Sequence, residues 1–108
     1  MNWREMIRHQ QVCELCGRRE SGLTKHHLIP RTRHRNKRVK KLFSREEMTG
    51  RVLWLCRPCH HHIHRVLDEK QLALEYNTRD KLLAHPEIKQ FVDWLADKSA
   101  GFKPRSSR

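Results

Sequence analysis

Two CxxC pairs constrain the fold of this chain more than any other feature of its sequence. A long insert separates the first pair, Cys13 and Cys16, from the second, Cys56 and Cys59. Each pair offers two thiolates from one tight turn, and Gly17 can adopt the positive φ that the first turn requires. Together the pairs predict a closed structural Zn²⁺ site that joins two distant parts of the chain. A pair of redox disulfides is the alternative.

A metal site of this kind would help a chain with a thin core. The 108 residues are enough for one small domain, and only 36% of them are hydrophobic. Domains of this size often need a metal or disulfide staple. No apolar run is long enough to span a membrane, and the start MNWREMIRHQ lacks the apolar core of a signal peptide. We therefore expect a cytoplasmic protein with no membrane partner, whose cysteines stay reduced.

The charge of the chain indicates a polyanionic partner. The formal net charge is +12 and the sequence pI is about 10.3, which points most simply to nucleic acid. No acidic residue occurs from Ser21 to Arg45. A solvated loop or a disordered arm is the alternative interpretation of such a run. The candidate phosphate-binding residues in it are Arg31, Arg33, Arg35, Lys37, Arg38, Lys40 and Lys41.

Local patterns predict an α+β fold with a short strand on either side of the basic segment. Turn residues, Pro positions and a capping-box pattern at Ser44–Glu47 set the boundaries. The predicted order is a helix over Trp3–Val12, a strand over Lys25–Ile29, a basic connection over Pro30–Gly50, a strand over Arg51–Leu55 and a helix over Pro58–Val66.

The remaining chain is predicted to be helical and structural. Ile88, Phe91, Val92 and Leu95 recur at helical spacing after Pro86, which indicates a core-facing stripe. We expect one domain over residues 1–100, with a zinc-containing core at about 10–68 and a helical extension at about 69–98. Residues 99–108 are expected to form a flexible basic tail.

The histidines suggest a second metal site. His60 and His64 are four residues apart on the predicted helix and therefore share one face. His26 and His27 are neighbours on the first predicted strand, where successive side chains face opposite ways. Only one of these two is expected to bind the same ion. The other would stand beside the metal, placed to act on a water or a substrate.

These motifs resemble, in their order, the HNH nuclease family with its ββα-metal (His-Me finger) fold. The residues that carry the resemblance are CELCG at 13–17, KHHLIP at 25–30 and RVLWLCRPCHHHIH at 51–64, within roughly the first two-thirds of the chain. The resemblance implies that His26, His60 and His64 hold a catalytic ion and that His27 is the general base. The sequence is most similar to the colicin-type branch, in which the ligands are histidines, with a four-cysteine zinc site added.

The resemblance implies a metal-dependent endonuclease that hydrolyses phosphodiester bonds of double-stranded DNA with little sequence specificity. Three imidazoles favour Zn²⁺, Ni²⁺, Co²⁺ or Mn²⁺ over Mg²⁺ as the catalytic ion, beside the structural Zn²⁺. Water would attack the phosphorus in line, and neutral His27 would take its proton. Monomer and homodimer both stay open.

One position departs from the family pattern. Arg51 stands where such nucleases usually carry an Asn that orients the loop of the general base. An arginine can donate to carbonyls or bind phosphate instead, and Asn36 is another candidate for the orienting role. Two further functions are therefore kept: a non-catalytic, zinc-stabilised DNA-binding module with a vestigial site, and an RNA-binding or RNA-cutting protein.

Overall fold

A two-stranded antiparallel sheet and a series of short helices make up the described part of this computed structural model, residues 12–99 and 101–104. Strand β1 is Thr24–His27 and strand β2 is Val52–Leu55. The register pairs His26 with Leu53 and His27 with Val52. The prediction of an α+β fold is confirmed. The helix predicted over Trp3–Val12 lies outside the described residues except at its last position.

Short helices make up most of the chain between the strands and most of the described chain after them. A 3₁₀ turn at Arg31–Arg33 is followed by α1 (Lys37–Leu42) and α2 (Arg45–Gly50). After β2 come α3 (Arg57–Val66), α4 (Glu69–Leu74), α5 (Arg79–Ala84) and α6 (Pro86–Ala96). Helix α3 packs against both β1 and α6.

Local signals account for several helix starts. The Ser44 side chain accepts a hydrogen bond from the Glu47 backbone, and the Glu47 side chain accepts one from the Ser44 backbone, so the predicted capping box is confirmed. Pro58 lies in the first turn of α3 and Pro86 in the first turn of α6, where the missing N–H of proline costs nothing.

The first strand is shorter at its end than predicted. It stops at His27, although the Leu28 backbone N–H still donates to the Arg51 carbonyl at 2.9 Å. Leu28 and Ile29 are both buried. A strand would direct one of these consecutive side chains outward, so the chain bends inward here instead.

The segment Pro30–Gly50 was predicted as a basic connection, and this is wrong for Lys37–Leu42, which form helix α1. Asn36 caps α1 by accepting hydrogen bonds from the backbone N–H groups of Arg38 and Val39. Val39 is fully buried in a small cluster with Ile29, Met48 and Ala73, although its neighbours on α1 are basic and exposed. Asn36 is therefore engaged as a helix cap.

The main core joins the sheet, α3 and the C-terminal helices. It contains the four cysteines, Leu53 and Leu55 of β2, Ile63 of α3, and Leu72 and Leu82 from the helices that follow. The predicted stripe on α6 is confirmed for Ile88, Val92 and Leu95, which are buried, while Phe91 is only half-buried.

The described C-terminal residues, Ser99 and Gly101 to Pro104, lie against the protein. Phe102 packs on the main core, and the Gly101 N–H donates to Glu20 at 2.7 Å. Within the residues that the structure describes, no helix is both long and apolar enough to cross a membrane.

Candidate functional site

The four cysteines meet in one buried cluster. Their sulfurs all lie within 4.8 Å of one another, and all four cysteines of the chain are free. The first pair is presented by a tight turn in which the Gly17 N–H donates to the Cys13 carbonyl at 3.0 Å and Gly17 has φ of 79°. The second pair is presented by the start of α3, where Cys56 is the N-cap.

The spacing of the sulfurs fits a tetrahedral metal. The Cys16 and Cys56 sulfurs are 3.8 Å apart. A disulfide would need about 2.05 Å. Four thiolates at about 2.3 Å from a central Zn²⁺ lie about 3.8 Å from one another. The cluster can therefore hold a metal such as zinc.

Protonation in the cluster also favours a cation. Hydrogen bonds from Cys16, Cys56 and Cys59 lower the pKa of Cys13 far below its ordinary value. Hydrogen bonding with Cys13 is the largest cause that raises the pKa of Cys59, and hydrogen bonding with Cys16 and Cys56 adds to it. A thiolate stabilised by neighbouring thiols is the form that a divalent cation would bind, with release of the remaining thiol protons.

The Arg18 side chain lies against this cluster and is almost wholly buried, at 3% exposure, which is rare for an arginine. One terminal nitrogen is 3.8 Å from the Cys56 sulfur, and the other donates to the Ser99 carbonyl at 2.8 Å and forms an ion pair with Glu20 at 3.2 Å. A buried cation beside thiolates compensates their negative charge. Arg18 also ties the cluster to the C-terminal residues.

Three histidines form a second cluster, between β1 and α3. One ring nitrogen from each of His26, His60 and His64 lies within 4.8 Å of the others. The ring centroids are 5.2 Å apart for His26 and His60, 5.4 Å for His26 and His64, and 5.0 Å for His60 and His64. His26 is buried, His60 is half-buried and His64 is exposed, so the cluster opens to solvent at one side.

The buried imidazole of His26 lacks polar partners. Neither of its ring nitrogens has a hydrogen-bond partner among the described residues, and the residue is 1% exposed. Leaving such groups unsatisfied is costly, and a metal ion would use the lone pair of the unprotonated nitrogen. Burial is the main cause that lowers the pKa of His26 to about 3, and the neighbouring His60 and His64 add to this effect. The ring is therefore neutral at neutral pH, as a ligand must be.

The hydroxyl of Thr24 favours one tautomer of His60. The Thr24 hydroxyl donates to the Leu55 carbonyl at 3.0 Å and lies 2.7 Å from Nδ1 of His60. Because its only hydrogen is used, Oγ1 accepts from Nδ1–H of His60. The Nε2 of His60 is then left unprotonated, which is the tautomer that binds a metal through Nε2.

His27 follows His26 on β1, is not a member of the three-histidine cluster and lines a basic groove. This groove has a volume of about 990 Å³, and no acidic side chain lines it. Burial is the main cause that lowers the pKa of His27, and the positive charges of Lys25 and Arg31 add to this effect. His27 is therefore neutral and able to accept a proton at neutral pH. Its cationic neighbours in the lining are Arg31, Arg35, Lys40 and Arg45.

The other predicted nucleic-acid residues are more scattered. Lys37, Arg38 and Lys41 are exposed on or near the outer side of α1 and do not line the basic groove. Arg33 is half-buried in the 3₁₀ turn. Their contact with nucleic acid stays a prediction.

Arg51 is engaged within the protein. Its guanidinium donates to the Asn77 carbonyl at 3.4 Å, pairs with Glu47 at 3.2 Å and lies 5.0 Å from the centre of the Phe43 ring. Its own carbonyl accepts from Leu28, the residue after His27. Of the two uses considered for this arginine, donation to a carbonyl is the one found.

Sequence analysis missed three residues of these sites: Thr24, Arg18 and Arg45. Thr24 had a usable signal, because it is two residues before His26 and so lies on the same side of the strand. Arg18 and Arg45 had none, since an arginine at either position is typical of a solvated surface.

One relative places the chain in a family. The Bacillus subtilis (strain 168) protein described as "Uncharacterized protein YisB" is 36% identical over 87 residues, which cover 78% of this chain and 72% of YisB. The chain belongs to the same family as YisB. No family model matches the chain, and no solved structure matches it. This relationship shows the family of the chain but assigns it no activity. The chemistry has to be argued from the residues of the two clusters and the basic groove.

Proposed function

We propose that this protein is an HNH-type endonuclease that hydrolyses phosphodiester bonds of double-stranded DNA with the help of one bound metal ion. The observation that carries the proposal is the pairing of two sites on one strand. His26 belongs to a three-imidazole cluster and has no hydrogen-bond partner in the described chain, and the adjacent His27 lines a groove whose charged residues are all basic.

The order and packing of the elements support a ββα-metal core. Strands β1 and β2 are antiparallel, and α3 follows β2 directly and packs back on β1. In the resembling nucleases this unit brings a histidine dyad on the strand against ligands on the helix. Under this proposal His26, His60 and His64 would take those positions.

The donor set indicates the kind of ion. His26, His60 and His64 would hold it, and three neutral imidazoles favour Zn²⁺, Ni²⁺, Co²⁺ or Mn²⁺ over Mg²⁺. A bound divalent ion would supply stabilisation of the charge that develops on the phosphate and the leaving oxygen. Thr24 would keep His60 in the tautomer that binds.

His27 would act as the general base. It would accept the proton of the attacking water while the new P–O bond forms and the bond to the 3′ oxygen breaks. The released 3′ oxygen would take a proton from solvent water, which leaves 5′-phosphate and 3′-hydroxyl ends. The Leu28–Arg51 backbone hydrogen bond holds the chain directly after His27, and Arg51 is itself held by Glu47 and Asn77. Arg51 would thus replace, by a different route, the Asn that anchors the base in the resembling family.

The basic groove would bind the DNA backbone. Arg31, Arg35, Lys40 and Arg45 line it together with His27. Arginine and lysine contacts to phosphate set affinity and salt dependence but read no sequence. We therefore expect nicking or cleavage with little sequence specificity.

Cleavage of supercoiled plasmid tests the proposal. Zinc-loaded protein lacking other ions would receive Mg²⁺, Mn²⁺, Co²⁺, Ni²⁺ or additional Zn²⁺ in turn, beside the His27→Ala variant. We expect nicking or linearisation with the transition metals and less with Mg²⁺, and a loss of about 10²-fold or more in His27→Ala. His85→Asn is the matched control, because it removes a histidine outside both clusters and Asn can still cap α6.

The outcomes separate the alternatives. DNA binding without cleavage under any ion would contradict the enzyme and favour the non-catalytic zinc-stabilised module. Cleavage of RNA with plasmid left intact would contradict the choice of substrate.

A further inference from the structure

A second groove lies on another side of α3, and the proposed function does not use it. It has a volume of about 860 Å³ and is bounded by α3, α6 and the residues from Gly101 to Pro104. None of His26, His27, His60 and His64 lines it. We call it the aromatic groove, after Phe91 and Phe102 in its lining.

Positive charge borders the aromatic groove. Arg57, His61 and Arg65 recur every four residues along α3 and so form one stripe, and Lys103 lines the groove from the C-terminal segment. Arg57, Arg65 and Lys103 are exposed and form no salt bridge within residues 12–99 and 101–104. These three cations are available to a partner.

The acidic residue in the lining is already neutralised. The Glu20 carboxylate pairs with Arg18 at 3.2 Å and accepts a hydrogen bond from the Gly101 N–H at 2.7 Å. The field in the groove is therefore positive. The same two contacts hold the wall formed by the C-terminal segment in place.

Flat rings lie among these charges. His62 stacks on Phe91 with centroids 4.1 Å apart and 12° between the ring planes, and its Nε2–H donates to the Glu87 carbonyl at 3.3 Å. Phe102 lies across from them, 5.7 Å from Trp94, which is 44% exposed. Phe91 and Phe102 are only half-buried, so part of each ring stays accessible in the groove.

We propose that the aromatic groove binds a single-stranded stretch of nucleic acid. Its phosphates would lie against Arg57, Arg65 and Lys103, and its bases would stack on the rings. Charge alone would suit any polyanion, but accessible rings reward flat unstacked bases, which neither a duplex nor an acidic peptide offers. The site adds to the proposed endonuclease and does not depend on it, because none of the residues proposed for cleavage lines it.

Binding of a fluorescent oligo(dT) tests the proposal, measured by anisotropy in the zinc-loaded His27→Ala protein so that no probe is cut. The comparison probe is an abasic oligonucleotide of equal length, which has the phosphates without the bases. We expect oligo(dT) to bind about fivefold tighter or more, since stacking contributes at least that factor per base. Failure of the plasmid test would leave this measurement unaffected.

Variants in the groove identify where the strand binds. Arg57→Gln combined with Arg65→Gln should weaken oligo(dT) binding and lower the slope of log K against log salt by about 1.4, about 0.7 for each lost single-strand phosphate contact. Lys70→Gln combined with Lys89→Gln is the matched control. It removes the same charge from exposed positions outside both grooves and should leave the base preference unchanged.

A ring variant separates stacking from charge. Phe102→Leu should weaken oligo(dT) binding by about fivefold or more and leave the abasic probe unchanged. Phe102→Trp, which keeps a flat face, should retain the preference even if the leucine variant melts earlier. Three results would each overturn the proposal: equal binding of the two probes by the unaltered groove, equal effects of the arginine and lysine variants, or equally strong competition by poly-glutamate.

Discussion

The hydroxyl of Thr24 favours the tautomer of His60 whose Nε2 can bind a metal ion. The Thr24 Oγ1 donates to Leu55 and accepts from Nδ1 of His60, which leaves Nε2 free for the cluster. Thr24→Val should keep the strand and remove this partner. We expect the affinity of the histidine cluster for Co²⁺ or Ni²⁺ to fall by about tenfold or more, as for other groups that orient metal-binding histidines.

Competition with a chromophoric chelator measures this affinity. Thr49→Val is the control, because within the described residues the Thr49 hydroxyl donates to carbonyls of its own helix, at Arg45 and Glu46. An unchanged affinity in Thr24→Val would show that Thr24 does not set the tautomer of His60.

At the scale of elements, Arg18 connects the first cysteine turn to the C-terminal segment. It contacts the Cys56 sulfur, the Glu20 carboxylate and the Ser99 carbonyl from a buried position. Removing its charge would leave thiolates and a carboxylate without their partner. Arg18→Gln should therefore lower the free energy of unfolding of the zinc-loaded protein by about 3 kcal/mol.

Urea unfolding followed by circular dichroism checks this value. Arg19→Gln is the control, since the neighbouring Arg19 side chain is exposed and should change stability by less than about 0.5 kcal/mol. Similar midpoints for the two variants would mean that Arg18 contributes no more than a surface charge.

The elements that sequence predicted are those with local signals. Pro58 and the Ser44 capping box mark helix starts through their own backbone chemistry, and the α6 stripe follows from a period of 3.6 residues. Helix α1 was not predicted because its residues are mostly basic and a single buried residue, Val39, makes no apolar stripe of helical period. Val39 is held by Ile29, Met48 and Ala73, whose contacts come from other elements.

The same distinction applies to the sites. The CxxC spacing and the i, i+4 histidines predict which groups come together, because turn and helix geometry bring the members of each set close. The aromatic groove could not be predicted in this way. It combines α3, α6 and the C-terminal segment, and their approach depends on the tertiary packing of the whole core.

At the scale of the whole molecule, the two clusters that could hold a metal ion share α3. Cys59 belongs to one cluster and the next residue, His60, to the other. The cysteine cluster lies within the main core, so its metal should be part of the folding free energy. Treatment with a strong chelator should abolish cooperative thermal unfolding measured by circular dichroism, and added Zn²⁺ should restore it. An unchanged melting curve after complete zinc removal would contradict a structural role.

The most direct test of the account is to count bound metal ions by native mass spectrometry and to measure plasmid nicking in the same samples. His26 and His27 are neighbours in sequence, yet one is assigned to the metal and the other to the proton. We predict that His27→Ala keeps both ions and loses nicking, whereas His60→Ala keeps only the zinc at the cysteines and also loses nicking. Nicking by His27→Ala at the rate of the unaltered protein, or a full metal count in His60→Ala, would contradict this division of roles.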